Sequence, residues 1–361
     1  MADGGFLNLS LIEVKSQIVN YEIETHLNEA KYNLDSFFLI DNNLKKFVPE
    51  GLTRTIYIDA HESRKTLIEV ENIASALNKL GMTKNDELSV IGGGFLQDLG
   101  TCVASLYMRG IKWFFFPTTL AAMGDSCIGG KSSINSGQIK NLLGNFYPPK
   151  SIQINLNWTK SLPQLEIVAG ISEILKICFA SSQETFTKSL GLLDSWFLTS
   201  SEIYLKELVE LSLESKKYFV EIDEFDVGPR KLLNFGHTFG HAIESATDFK
   251  IPHGVAVLIG MIAACEHESS SKNNSTDSLK EICFKLLSSI KYEVIPHLKI
   301  LRSEHTSNYM RKDKKNDSNS LTLILPSENG LFIHKEPIEL GIEKANKAMY
   351  AALEMIVNEI R

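Results

Sequence analysis

The sequence predicts an α/β fold: an N-terminal Rossmann-like parallel-sheet domain over residues 1–163, followed by a mostly α-helical domain over 164–361. Three observations carry this. Short apolar runs alternate with helical patterns through the first 160 residues, the signature of strands covered by helices. Beyond them, long helical patterns follow one another. Leu162-Pro163 marks the joint, because proline restricts the backbone of the residue before it.

In chain order, RTIYID (54–59), LSVIGGG (88–94), KWFFFP (112–117) and SIQINL (151–156) read as strands, each a short apolar run. Between the first two, Glu69 to Leu80 carries Ile73, Leu77 and Leu80 at helical spacing. The second half reads as helices over 164–180, 201–220, 230–247, 254–268, 278–290 and 337–360. SSSKNNSTDS (269–278) reads as a polar loop, and no internal repeat is visible.

Composition narrows the function. Hydrophobic content of 43% and charged content of 22% are those of an ordinary globular protein, and a net charge of −7 argues against nucleic acid or an anionic membrane as partner. An anionic substrate would need a local basic cluster set against that average. FFLI, WFFF and the other apolar runs fall far short of the roughly 20 residues of a membrane span. The start, MADGGFLNLSLIEVK, lacks the basic and apolar regions of a secretory signal. Five cysteines (102, 127, 178, 265, 283) form no CxxC, as expected of reduced thiols in a cytoplasmic protein.

The chemistry concentrates in LLNFGHTFGHAIES (232–245). Counted from Arg230, the polar residues Asn234, His237, His241 and Glu244 follow at steps of 4, 3, 4 and 3, one face of a continuous helix. A solvated face normally carries Lys and Glu rather than His, Asn and His. Gly236 and Gly240 remove side chains where another backbone or a ligand comes close. Two imidazoles one turn apart either bind one metal together or divide metal binding and proton transfer between them. A further ligand is then required. His253 in IPHGVAV is one candidate; Glu173, three residues from Lys176 in the apolar AGISEILKICFA, is another. Two charges buried there cost several kcal/mol each, at order of magnitude, unless they are paired or hold an ion.

With these residues in view, the sequence resembles the 3-dehydroquinate synthase family and the wider sugar phosphate cyclases. The resemblance runs from about residue 55 to 335 through eight blocks in order: IGGGFLQDLG (91–100), YMRG (107–110), PTTLAAMGDSCIGGKSSIN (117–135), KNLLGNFYPP (140–149), AGISEILK (169–176), LLNFGHTFGHAIES (232–245), HG (253–254) and MRKDKKN (310–316). It implies zinc or cobalt on Glu173, His237 and His253, with His241 as the histidine that handles protons. It places NAD contacts on Glu62 and Lys65 of HESRK, on Gly93, Gly94, Asp98, Thr118 and Thr119, and on Asp125, Lys131 and Lys140. A glycine turn after a strand lets backbone amides approach a pyrophosphate. Substrate contacts fall on Asp125, Lys131, Asn141, Lys176, Lys216, Arg230, Asn234, Lys314 and Lys315. Arg109 would reach the phosphate site of a neighbouring subunit, which implies a homodimer. Together these cations supply the cluster that a phosphorylated sugar acid needs.

The resemblance implies carbocycle formation from 3-deoxy-arabino-heptulosonate 7-phosphate, a step of the shikimate pathway toward aromatic amino acids. NAD oxidises the C5 hydroxyl, phosphate leaves by elimination, the ketone is reduced again, the ring opens, and an intramolecular aldol closes the cyclohexane. The alternatives are a cyclase acting on another sugar phosphate and a metal-dependent polyol dehydrogenase. Three departures bear on the choice: the family's HGEAV reads HGVAV, with Val255 in place of a carboxylate; G-E-x-x-K reads HESRK, with His61 in place of glycine; and a G-D pair reads Gln97-Asp98.

Overall fold

The computed structural model describes residues 10–27, 31–48, 50–137, 139–301, 303–311 and 319–360. The chain divides into two compact units, one formed by Met1–Ser161 with Ser201–Phe225, the other by Leu162–Ser200 with Asp226–Arg361. One boundary between the units falls between Ser161 and Leu162, and the stretch Ser201–Phe225, expected in the second domain, belongs to the first unit. Helical periodicity shows that a segment buries one face; it does not show which core receives that face.

In the first unit, strands β1 (Ser10–Val14), β2 (Tyr21–His26), β3 (Phe37–Asp41), β4 (Thr55–Ile58), β5 (Glu87–Gly92), β6 (Lys112–Pro117) and β9 (Ser151–Asn155) build a seven-stranded sheet. Its order is β1-β2-β9-β6-β5-β3-β4, and every neighbouring pair is parallel except β1 with β2. A small antiparallel hairpin joins β7 (Ile134–Ser136) to β8 (Ile139–Leu143). Helices α1 (Leu67–Lys79) and α2 (Gly94–Leu106) belong to this unit. Thr66 caps α1 by accepting from the Glu69 amide, and Val70, Ile73 and Leu77 supply its buried stripe. FFLI becomes β3, buried as a central parallel strand must be. β1 and β2 were not read as strands, although YEIETH alternates apolar and polar residues with the period of a strand buried on one face.

The second unit contains α3 (Gln164–Ser181) and α4 (Gln183–Thr199); the chain then returns to the first unit as α5 (Glu202–Ile222). It continues with α6 (His237–Ala246), α7 (His253–Glu266), α8 (Asn274–Ser288), α9 (Lys291–Leu298), α10 (Ser303–Arg311) and α11 (Ile338–Glu359). Between the last two helices runs an antiparallel hairpin of β10 (Ser320–Ser327) and β11 (Gly330–Pro337). The polar stretch 269–278 is only partly loop, because Asn273 and Thr276 close a capping box that starts α8. α7 is the centre of this unit: residues 254–265 are all buried, and α3, α6, α8, α11 and β10 surround it.

The helix expected over 230–247 is two pieces. Pro229–Asn234 forms a 3₁₀ turn, Phe235 is extended at φ −52° and ψ 131°, and Gly236 adopts a left-handed φ of 77°. A Cβ on Gly236 would sit 2.8 Å from the Val257 carbonyl oxygen, so the residue needs both the left-handed backbone and the missing side chain. Arg230 and Asn234 therefore do not share a helix face with His237 and His241.

The five cysteines are free and buried. Burial pushes the Cys127, Cys178 and Cys265 thiols up to about 12, so they act as small apolar core groups.

Candidate active site

In the first unit, Gly92 ends β5 and Gly93 caps α2 in extended backbone, with no acidic residue in the helix's first turn. The Thr118 amide donates to the Gly92 carbonyl at 3.0 Å, tying the end of β6 to that turn. An added Cβ on Gly93 would meet Thr119 Cγ2 at 2.9 Å. The unsatisfied amides of α2 thus open at the carboxyl end of the sheet, an arrangement suited to an anion.

Around this turn the expected cofactor residues form one polar network. Lys65, 6% exposed, donates from Nζ to Asp98 Oδ2 at 3.0 Å and to Asn141 Oδ1 at 2.6 Å. Glu62 Oε1 lies 3.6 Å from Lys65 Nζ and 4.0 Å from Lys140 Nζ. Asp98 also accepts from the Ser133 amide at 2.8 Å and from the Ser133 hydroxyl at 3.0 Å. Burial pushes the Asp98 carboxyl above the ordinary carboxylate range, with the Lys65 ammonium and the Ser133 hydrogen bonds acting against it. Asn135 completes the network: its Nδ2 donates to Glu62 Oε1 at 2.8 Å, and its Oδ1 accepts from the Asn141 amide at 2.8 Å. That second bond holds Asn141 at a left-handed φ of 53°. Ser133 and Asn135 were not among the expected residues, although both lie inside the 117–135 block.

Asp125 and Lys216 form an ion pair, and Lys216 Nζ also donates to the Asp125 carbonyl at 2.7 Å. Asp125 stands on a wide helical turn, Ala122–Ser126, against which α5 packs. Gln97, 3% exposed, grips the end of that turn: Nε2 donates to the Ser126 carbonyl at 2.6 Å, and Oε1 accepts from the Ser126 hydroxyl at 2.6 Å. Lys131 lies over the Phe146 ring, 5.9 Å from its centroid. Arg109 is exposed and left-handed at φ 64°, following Met108 at φ 47°.

In the second unit, Glu173, His237 and His253 converge, each presenting a ligand atom within 4.8 Å of the others. Glu173 comes from α3, and each histidine opens a helix. Gly254 brings α7 up to α3, since a Cβ there would fall 2.1 Å from the Ala169 carbonyl oxygen. Glu173 is 4% exposed, and its Oε2 accepts from Lys176 Nζ at 2.5 Å. Its Oε1 is buried without a hydrogen-bond partner and lies 3.4 Å from His253 Nε2. An orphaned buried carboxylate oxygen among imidazole nitrogens is the donor set a cation satisfies. His237 Nδ1 lies 3.2 Å from the Phe235 carbonyl, which favours a proton on Nδ1 and a lone pair on Nε2. His253 Nδ1 lies 2.8 Å from Glu244 Oε2, with the same consequence.

Glu244 lay on the polar stripe, but sequence reasoning gave it no role. It gives His253 a carboxylate partner, whereas Val255, which stands where the family has Glu, is fully buried in α7. Protein crowding lowers the basicity of His253. The Glu244 hydrogen bond and charge, then the Glu173 charge, override this and leave the imidazole above its ordinary value. The pocket favours positive charge. The His241 ring stands 5.5 Å from that of His237 and 5.7 Å from that of His253. Arg230 is 3% exposed, while Asn234 Nδ2 donates to the Lys231 carbonyl at 3.1 Å. Lys314 and Lys315 lie outside the described residues.

A parallel-sheet unit with a glycine turn, and a helical unit with a two-histidine, one-carboxylate centre, define a metal-dependent enzyme class. The comparisons make this specific. The N-terminal domain of 3-dehydroquinate synthase matches residues 55–169 and the C-terminal domain matches 170–316. The 3-dehydroquinate synthase of Dictyoglomus thermophilum (strain ATCC 35947 / DSM 3960 / H-6-12) is 37% identical over 304 residues, 81% of this chain and 82% of that one. That of Pelagibacter ubique (strain HTCC1062) is 34% identical over 300 residues, 82% and 81% of the two chains. This chain belongs to the 3-dehydroquinate synthase family. Among solved structures, a 2-deoxy-scyllo-inosose synthase complexed with carbaglucose-6-phosphate, NAD+ and Co2+ superposes with a TM-score of 0.78 at 19% identity, covering 94% of this chain and 99% of that one. That likeness speaks for the fold.

Proposed function

We propose that this chain converts 3-deoxy-arabino-heptulosonate 7-phosphate to a carbocyclic product with elimination of phosphate, using NAD and a divalent metal, zinc or cobalt. The observation that carries the reading is the convergence of Glu173, His237 and His253 around the orphaned Glu173 Oε1. When bound, the metal polarises the substrate hydroxyl and NAD accepts and returns the hydride.

The chain's own residues do the rest. Glu173, His237 and His253 hold the cation, and Glu244 and the Phe235 carbonyl fix the ring tautomers. Lys176 neutralises the Glu173 oxygen facing away from the cation. His241 takes the proton from the hydroxyl at C5 of the substrate. Arg230 and Asn234, with Lys131, Asn141, Asp125, Lys216, Lys314 and Lys315, bind and orient the substrate's anionic and hydroxyl groups. Gly93, Gly94, Thr118 and Thr119 receive the cofactor's phosphates and Glu62, Lys65, Asp98 and Lys140 its ribose and nicotinamide ends. The exposed Arg109 serves the phosphate of a second copy in a homodimer. No helix among the described residues is long and apolar enough to cross a membrane, in keeping with work in the cytoplasm on a small phosphorylated sugar acid.

Offering the purified chain this substrate and related sugar phosphates, with catalytic NAD, tests the reading. Phosphate release and a carbocyclic product without accumulation of NADH are expected. Stoichiometric NADH would place the chain with the polyol dehydrogenases, and turnover of another sugar phosphate alone would reassign the substrate.

A further inference from the structure

We propose that the centre carries a second divalent-cation site, formed by His241, Glu244 and His253, whose occupation shuts the enzyme down. The inference rests on the metal reading of Glu173, His237 and His253. His241, Glu244 and His253 each offer one ligand atom within 4.8 Å of the others, so two three-donor sets overlap at His253. The two ring nitrogens of His253 face in different directions. Nε2 looks to Glu173 Oε1 at 3.4 Å and Nδ1 to Glu244 Oε2 at 2.8 Å. One imidazole can therefore take part in both sets.

The sets are not equivalent. The first contains an orphaned oxygen on a carboxylate 5% exposed, so a cation entering it satisfies a group that nothing else satisfies. The second is more open, since the side chain of Glu244 is 13% exposed against 5% for that of Glu173, and it shares His253. Its Nδ1–H already donates to Glu244, and a cation seated there displaces that proton to solvent and forfeits the hydrogen bond. It also meets the repulsion of a cation in the first set. The first set fills first and the second only at higher concentration.

Filling the second set has two consequences for the reaction. The lone pair of His241 is taken by the cation and no longer receives a proton. Glu244 turns from holding the His253 ring to ligating, so the orientation of a first-set ligand is lost. The donors are the oxygen and imidazole nitrogen atoms that suit Zn2+ or Co2+ rather than Mg2+.

The experiment is a titration of the metal-free full chain with Co2+ and with Zn2+. Stoichiometry is followed by calorimetry and the cobalt visible spectrum, and turnover is followed in parallel. Two phases are expected, the second at least about tenfold weaker, with activity rising over the first equivalent and falling over the second. Glu244→Gln and His241→Asn should each lose the second phase and keep the first. In Glu244→Gln the first phase weakens by about 10–100-fold as its supporting carboxylate goes. A single equivalent in the unaltered chain up to millimolar metal, or a second equivalent that persists in both variants, overturns the second site. Binding of no cation in any form overturns the Glu173 centre as well, so the two failures are distinguishable.

Discussion

The two polar constellations of this chain are built on opposite principles. In the first unit, Glu62, Lys65, Asp98, Asn135 and Asn141 satisfy one another, and the buried ammonium of Lys65 faces two carboxylates and an amide. In the second unit, Glu173 keeps an oxygen with no partner, and the hydrogen bonds of His237 and His253 turn their other nitrogens toward the same space. The first network is complete from its own side chains and only needs a surface on which a cofactor can lie. The second, as proposed here, is completed by a cation from outside. Ligand removal should therefore cost the second unit more stability than the first.

The largest effect, complete loss of turnover, tests that asymmetry. Metal at about 100 times its dissociation constant adds roughly 2.7 kcal/mol to the stability of the state that binds it. Glu173→Gln should abolish this gain and turnover together, read by thermal unfolding with and without chelator. A variant that stays active with full metal content would remove Glu173 from the centre. Next in size is His241→Ala, which should lower kcat by about 100-fold or more while one equivalent of tight metal remains, because His241 lies outside the first donor set. Loss of that metal would make His241 a ligand.

A third effect belongs to the complete network. Lys65→Met leaves Asp98 without its cation, at a cost of about 3 kcal/mol near neutral pH, the low end for a broken buried pair. The sign follows from Asp98. Its carboxyl in the fold is held above the ordinary value, so the fold favours the protonated form, and stability is lost as pH rises through the folded-state value. The variant's deficit should shrink toward about pH 4, near the ordinary aspartate value, as denaturant titrations at two pH values would show. An equal deficit at both would mean that Lys65 acts through packing alone.

The centre was more legible in the sequence than the frame around it. Glu173 and His237 stand out because charged and imidazole groups are rare in apolar helices, the family resemblance adds His253 to them, and the structure brings the three together. The stripe from Arg230 to Glu244 was legible as residues but not as geometry, since Gly236 can continue a helix or turn it, and only the Val257 backbone decides. β4, β5, β6 and β9 were read from the sequence, whereas β1, β2, β3 and the β10–β11 hairpin were not; FFLI (37–40) is as apolar as any strand that was read, so a short apolar run does not by itself declare a strand. The placement of α5 in the first unit depends on contacts far apart in sequence, with β1 and the 122–126 turn, which no local period records.

The smallest effect concerns Gln97, the residue that departs from the family's glycine. Its amide donates to and accepts from Ser126, so it closes the 122–126 turn that carries Asp125 and, through it, Lys216. Gln97→Gly restores the family's residue but removes two hydrogen bonds at about 1 kcal/mol each and adds roughly 1 kcal/mol of helix propensity cost. Unfolding free energy should fall by about 2–3 kcal/mol, a drop confined to stability if Gln97 only packs the core. If it positions the turn, NAD affinity, measured by direct binding, should also fall, and Ser126→Ala should add little to the loss because both changes break the same contact. Additive losses in the double variant would mean that the two residues act separately, and the first unit would then be less fully assembled by its own side chains than its hydrogen bonds indicate.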